Sequence, residues 1–154
     1  MTDADTDRLR RLETREALKE LRARYCYYVD ERNWEPFFDL FVDDPTLDFG
    51  GMGVYEGQEG LERFAAEFVE DQLESSAHML SNPVLDVDGD EATGRWYVES
   101  PLTFADGTGA WRQGWYRDRY RRVDGEWRIE HMEMRFVYTA DYDTETGWSD
   151  LRPL

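Results

Sequence analysis

Between Asp7 and Glu31 the apolar residues return every three or four positions, as Leu9, Leu12, Leu18, Leu21, Tyr25 and Tyr28. That is the period of a helix burying one stripe, and it predicts a long first helix over residues 7–31. The polar residues 1–6 before it are expected to fray. Asn33 offers an N-cap for a second, shorter helix from Trp34 to Phe41, with Glu35 and Pro36 in its first turn. Asp43-Asp44-Pro45 predicts its end. Thr46 to Phe49 and Val54-Tyr55 read as short strands around a turn at Gly50-Gly51 and Gly53. Gln58 to Leu73 predicts a third helix, with Leu61, Phe64, Ala65 and Phe68 on one face.

After Leu73 the period changes from 3.6 to 2. Four alternating runs follow, Ser76–Val87, Glu91–Ala105, Ala110–Val123 and Glu126–Thr139. The turns between them are Asp88-Gly89-Asp90, Asp106-Gly107 and Asp124-Gly125. Asp-Gly between alternating runs is a strong hairpin signal, so three in series predict an antiparallel meander. In the last run neither face is cleanly apolar, which points to a bulge. Helices first and strands afterwards make an α+β single domain: a curved sheet wrapped on three helices around a conical space. Residues 140–154 read as irregular, covering the mouth of that space or a neighbouring subunit.

Composition narrows the function classes. The net charge of −17 repels nucleic-acid phosphate and an anionic membrane surface alike. Only one of the 18 basic residues is lysine, Lys19, and an acidic, nearly lysine-free surface suggests a halophile. The lone Cys26 excludes an internal disulfide and reads as buried and inert. The N-terminus has no apolar signal segment and no run is long enough to span a membrane, so a cytoplasmic protein is expected. Six Trp, nine Tyr and eight Phe exceed the needs of a small core, and the surplus fits a ring-lined pocket or a subunit contact.

Several short stretches resemble one family. Leu21-Arg22-Ala23-Arg24-Tyr25 with Asp30 and Trp34, Phe41 with Asp43-Asp44, Gly57 with Leu61, Ala77-His78 and Asn82-Pro83 follow its pattern through the helices. Ala92 to Tyr97, Tyr116 to Tyr120 and Asp124 to Ile129 follow it through the meander. Over about residues 8–138 the chain resembles the SnoaL-like domains of the nuclear transport factor 2-like superfamily, with bile-acid 7α-dehydratase and scytalone-dehydratase-type enzymes as the nearest likeness. The resemblance implies a cone-shaped fold, a trimer or dimer, and catalysis by Tyr25, Asp30 and His78, a scheme that requires neither metal nor organic cofactor. It also implies substrate contacts, although an acidic position of the family is Ser100 here and Arg135 lies one residue out of register.

The residue types suit elimination beside a carbonyl. An imidazole titrates near neutral pH and can take a proton as base. A carboxylate fixes its tautomer, and a phenol donates to an oxyanion or to the leaving oxygen. Sequence leaves the roles of His78 and Tyr25 interchangeable. Five residues along a helix is about 140° of rotation, so periodicity alone does not bring Tyr25 and Asp30 to one face. In a regular strand Asn82 shares a side with His78 and becomes a further polar contact. Trp96 and Tyr116 sit on strand faces that could line a flat apolar pocket, and Arg135 could bind an anionic tail or a surface carboxylate. His131 reads as structural. The expected ligand is a small apolar or polycyclic hydroxylated carbonyl compound. The alternatives are a non-catalytic ligand-binding module and the structural small subunit of a ring-hydroxylating dioxygenase.

Overall fold

The computed structural model describes residues 2–154. Helix α1 runs over Asp3–Glu31, four residues earlier than its apolar stripe predicts. Thr2 and Asp5 are the reason. The Thr2 hydroxyl accepts from the Asp5 amide at 3.2 Å, and the Asp5 carboxylate accepts from the Thr2 amide at 3.0 Å. This reciprocal cap satisfies helix-start donors that would otherwise fray. At the far end Arg32 takes a left-handed conformation and closes the helix.

Helix α2 is shorter than expected, Trp34–Phe38. Strand β1 then starts at Phe41 and runs to Asp48. Asp43-Asp44-Pro45 therefore lies inside a strand rather than ending a helix. Its register with the last long strand shifts between Phe41 and Thr46, a bulge that houses a proline unable to donate to the ladder. Strand β2 is Val54–Glu56. Helix α3, Gly57–Arg63, continues as a π-helical segment over Phe64–Glu70.

The first strand of the meander is split into β3, Leu73–Ser76, and β4, Met79–Asp88, both paired with β5, Glu91–Phe104. Strands β6, Gly109–Val123, and β7, Glu126–Asp143, complete it. The sheet order is β2-β1-β7-β6-β5-β3, antiparallel except for β1 against β7. Two register shifts between β6 and β7, at Gln113/Gly114 and Arg119/Tyr120, are the bulges that the mixed faces of the last run foreshadow. The second, where Glu130 is the extra residue, places Ile129 on the same buried side as Met132 and Met134. At the first bulge a methyl group on Gly114 would sit 2.1 Å from the Arg135 carbonyl oxygen, so only glycine fits.

Residues 140–154 are not irregular throughout. Two short strands, β8 at Gly147–Trp148 and β9 at Arg152–Pro153, pair with the end of β7. The core lies between α1 and the concave sheet face, from Leu18, Leu21, Tyr25 and Val29 to Val98, Tyr116, Tyr120 and Met132. Among the described residues no helix is long and apolar enough to cross a membrane.

Candidate active site

The last turn of α1 delivers Asp30 to the break between β3 and β4. Its Oδ1 accepts from the Ser76 hydroxyl at 2.7 Å and meets His78 Nδ1 at 2.7 Å. Its Oδ2 accepts from the His78 amide at 2.8 Å. At this break the Ala77 amide still donates to the Pro101 carbonyl of β5 at 3.2 Å, and the carboxylate satisfies the His78 N–H, which faces away from β5. Arg32 fastens the same corner by donating to the carbonyls of Leu73 at 2.6 Å and Glu74 at 3.0 Å. Burial acts to raise the Asp30 carboxyl, but hydrogen bonds and charge from His78, with the Ser76 hydroxyl, hold it below the ordinary carboxylate range. Both side chains are largely shielded, His78 at 14% and Asp30 at 18% exposure.

His78 opens on an apolar cavity lined by Tyr25, Val29, Phe64, Phe68, Ser100, Tyr116 and Phe136 among others. Asp30 does not line it and reaches it through His78. The five-residue spacing from Tyr25 to Asp30 thus needs no common helix face. Tyr25 lines the cavity and Asp30 holds the His78 ring from behind. Burial raises the Tyr25 phenol well above its ordinary value, and the Tyr116 phenol is raised by the same cause. The Ser100 hydroxyl is fully buried on the wall without a partner.

Three expected ligand contacts lie elsewhere. Asn82 is exposed on the outer sheet face. Pro83 cannot donate to the ladder, the register with β5 shifts between Ser81 and Val84, and Asn82 turns left-handed at φ 53°, which removes it from the side of His78. Arg135 is committed to Asp48, with Nη1 at 3.0 Å from Oδ1 and 2.9 Å from the carbonyl, and approaches Glu133 at 3.5 Å. Trp96 is buried away from the cavity and donates to the Tyr120 hydroxyl at 3.0 Å.

Beneath the cavity lies a charged pair that periodicity already signals. Arg22 falls on the stripe of Leu18, Tyr25 and Val29, and Asp118 alternates with Tyr116 and Tyr120 on the inner face of β6. Both side chains are wholly inaccessible, with Arg22 Nε 3.0 Å from Asp118 Oδ2. That contact is off the N–H axis. Arg22 Nε and Nη2 and Asp118 Oδ1 all lack an aligned hydrogen-bond partner. The guanidinium packs on the rings of Tyr25 at 4.6 Å and Tyr116 at 4.5 Å, and the Tyr120 hydroxyl donates to Asp118 at 2.6 Å. Burial opposes the Arg22 charge, yet Asp118 and the phenols keep it above its ordinary value. Burial raises Asp118 despite Arg22.

The cavity is nearly closed, with a volume of about 30 Å³. A water needs at least ~10–15 Å³ by this measure, and pockets for drug-sized ligands run to ~300–1,000 Å³. A polycyclic ligand therefore enters only if rings such as Phe68 and Phe136 swing aside. Among the described residues no three His, Cys, Asp or Glu side chains converge as metal ligands.

Residues 10–133 match the family model of the SnoaL-like domain. The chain belongs to the SnoaL-like domain family. Its fold is the nuclear transport factor 2-like α+β cone expected from the residues. A hexachlorocyclohexane dehydrochlorinase, LinA type 2, superposes with a TM-score of 0.79 at 22% identity, covering 95% of this chain and 92% of that one. A protein from Novosphingobium aromaticivorans, provisionally named a scytalone dehydratase, superposes at 0.78 with 24% identity, covering 89% and 93%. In sequence, the uncharacterized Mycobacterium tuberculosis protein Rv2910c is 28% identical over 117 residues, 73% of this SnoaL-like chain and 78% of its own length.

Proposed function

We propose that this SnoaL-like protein is a cofactor-independent lyase that eliminates H–X, with water as the first choice of HX, from a small apolar carbonyl compound. The observation that carries the reading is the 2.7 Å contact between Asp30 and His78 Nδ1 at the wall of an apolar cavity. With Nδ1–H directed to Asp30, the tautomer consistent with that contact, the Nε2 lone pair faces the cavity. Nε2 takes the proton from the carbon beside the carbonyl, and the C–H electron pair becomes the new C=C bond as X departs with its own electrons. The imidazolium that forms is stabilised by Asp30.

The raised Tyr25 phenol supports one assignment of roles over the other. A phenol held well above its ordinary value by burial stays neutral and cannot serve as the base. Tyr25 therefore donates a hydrogen bond to the carbonyl oxygen or to the leaving atom, and the base is His78. Ser100 is a second donor on the wall. The names of the similar structures include both a dehydrochlorinase and a dehydratase, which supports elimination with either chloride or hydroxide leaving.

The test is a panel of β-hydroxy and β-chloro ketones followed by the ultraviolet absorbance of the conjugated product and by deuterium wash-in at the acidic carbon. His78→Gln is expected to lose at least ~100-fold in rate, the usual scale of a general base. Equal elimination by His78→Gln and the parent would overturn the reading. One observation favours a second reading, a non-catalytic subunit. The cavity is so well filled that it takes no ligand without rearrangement. Absence of both elimination and deuterium exchange across the panel, with no ligand entering the cavity in a soaked crystal, would establish that alternative.

A further inference from the structure

One cation on the inner face of the sheet has no acid to meet. Strand pairing sets Trp96 of β5 opposite Tyr116 of β6, and Ser100 opposite Arg112. Trp96, Tyr116 and Ser100 are buried on the inner face. Opposed residues of an antiparallel pair project to the same side, so Arg112 belongs to that face as well. The pairs Ser76–Leu102 and Met79–Glu99 bracket the break between β3 and β4 and set His78 abreast of Ser100. His78, Ser100 and Arg112 therefore form a row across three strands, with Arg112 two strand spacings, about 10 Å, from His78.

The surroundings of Arg112 differ from those of its neighbours by the cavity. Arg22 meets Asp118 and Arg135 meets Asp48. Among the described residues no carboxylate pairs with Arg112, in a chain whose acidic residues outnumber basic ones 35 to 18. Its guanidinium lies 5.3 Å from the ring centre of Phe136 and 5.9 Å from that of Phe104. Nη1 meets only Met52 Sδ, a weak acceptor, at 3.7 Å, and Nε is shut from solvent without a partner. Burial holds the group below its ordinary value, and Asp141, which opposes that through space, is taken up by Arg152 and Thr139. The Ser100 hydroxyl beside it is wholly buried and equally without a partner. Buried donors left unpaired are costly, and two side by side are completed by a ligand oxygen.

We propose that Arg112 seats the carboxylate of an amphiphilic monocarboxylate whose apolar body runs past Phe136 into the cavity, with Ser100 donating to an oxygen of the same ligand. One guanidinium matches one carboxylate in a bidentate pair. A phosphate dianion calls for a second cation, and Arg22 and Arg135 are already paired. Phe136 lines the cavity and also covers Arg112, so turning that ring aside widens the cavity and uncovers the guanidinium in one movement. The binding site does not rest on the lyase reading. Only the further step of taking this carboxylate as the substrate does.

The experiment is isothermal titration calorimetry of the full chain with octanoate and with octanamide, which share one chain length and differ in charge. The parent should prefer octanoate about 10- to 100-fold, the worth of a hydrogen bond to a charged group. Arg112→Gln should lose that preference, and Arg112→Lys, which keeps the charge, should retain part of it. A crystal of the parent soaked with octanoate should show the carboxylate against the Arg112 guanidinium, a readout that needs no variant to fold. The proposal is overturned if octanoate does not bind the parent, or if the soaked carboxylate lies on another cation. It is overturned equally if Arg112→Gln, with the circular dichroism of the parent, keeps the preference. Binding at Arg112 without elimination of any test ketone would sink the lyase reading alone. Elimination by a protein whose carboxylate preference ignores Arg112 would sink this proposal alone.

Discussion

The pair beneath the cavity gives the sharpest test of the energetics. Arg22→Met keeps the length and apolar stem of the side chain and removes the charge. Asp118 is then left fully buried, with the Tyr120 hydroxyl at 2.6 Å as its one aligned donor. Breaking a buried pair from one side costs about 3–5 kcal/mol. Against a typical domain stability of about 5–15 kcal/mol this is a large share. At roughly 2–4 °C per kcal/mol for a chain of this size, the melting temperature should fall by about 6–20 °C. In Arg22→Met/Asp118→Asn both charges are gone and an oxygen remains to accept from Tyr120. The double variant should therefore recover at least about 2 kcal/mol of the loss, a coupling within the usual range for contacting residues.

The sign of the pH dependence follows from Asp118, whose folded-state carboxyl is already raised by burial. Losing Arg22 removes a lowering influence and raises it further. A carboxyl raised in the folded state binds its proton more tightly there, so stability is lost as pH rises through the folded value. The deficit of Arg22→Met should be largest at neutral pH and shrink on acidification toward the ordinary aspartate value of about 4. Urea unfolding followed by tryptophan fluorescence, at unchanged m-value, measures each quantity. A single-variant cost below about 1 kcal/mol would refute the account of a desolvated, poorly aligned pair. So would a double variant no better than the single, or a deficit that does not vary with pH.

Asp30 carries the opposite sign: its folded-state carboxyl is lowered, so its contribution is present above the unfolded value and lost as pH falls through the folded one. Asp30→Asn should flatten the acid limb of a stability profile below about pH 4, and a limb unchanged from the parent would count against the clamp at Ser76 and His78. Gly114→Ala places its methyl 2.1 Å from the Arg135 carbonyl and should cost about 1–3 kcal/mol or more by overpacking, read as a lower urea midpoint. Phe68→Ala removes a ring from the cavity wall and should bring binding of a fluorescent apolar dye that the parent lacks. If the parent binds the dye equally, the wall already opens in solution.

Much of this was legible because period and chemistry agreed. The three Asp-Gly turns sit at the hairpins, and the mixed faces of the last strand mark real bulges at Gln113/Gly114 and Arg119/Tyr120. Helix α1 and the contact of Asp30 with His78 follow from local sequence and family pattern. What was not legible depends on competition for hydrogen bonds across long sequence distances. Asp30 takes up an amide 48 residues away at the break between β3 and β4, where the alternation of the sequence is continuous. Pro83 swings Asn82 to the other face. Arg135 had a carboxylate waiting 87 residues earlier in Asp48, which no strand pattern reveals. Arg22 could have been found, since a charged residue on a strict apolar stripe is either an error of phase or a buried ion.

The closed cavity and the ordered dyad belong together. Asp30 spends both oxygens on the 76–78 segment, so the His78 imidazole is fixed to the end of α1 independently of what fills the cavity. The parts that fill it come from elsewhere: Phe64 and Phe68 from the π-helical segment, and Phe136 from the stretch of β7 just before its extra residue. The floor is held by Arg22 between Tyr25 and Tyr116, so it cannot yield without exposing a buried charge. Opening must then occur at the phenylalanine wall. Phe68 is only half-buried, and π-helical turns hold less regular backbone bonding than the helix before them. On the proposed lyase reading, this arrangement separates a rigid base and floor from the apolar wall at which a ligand would enter.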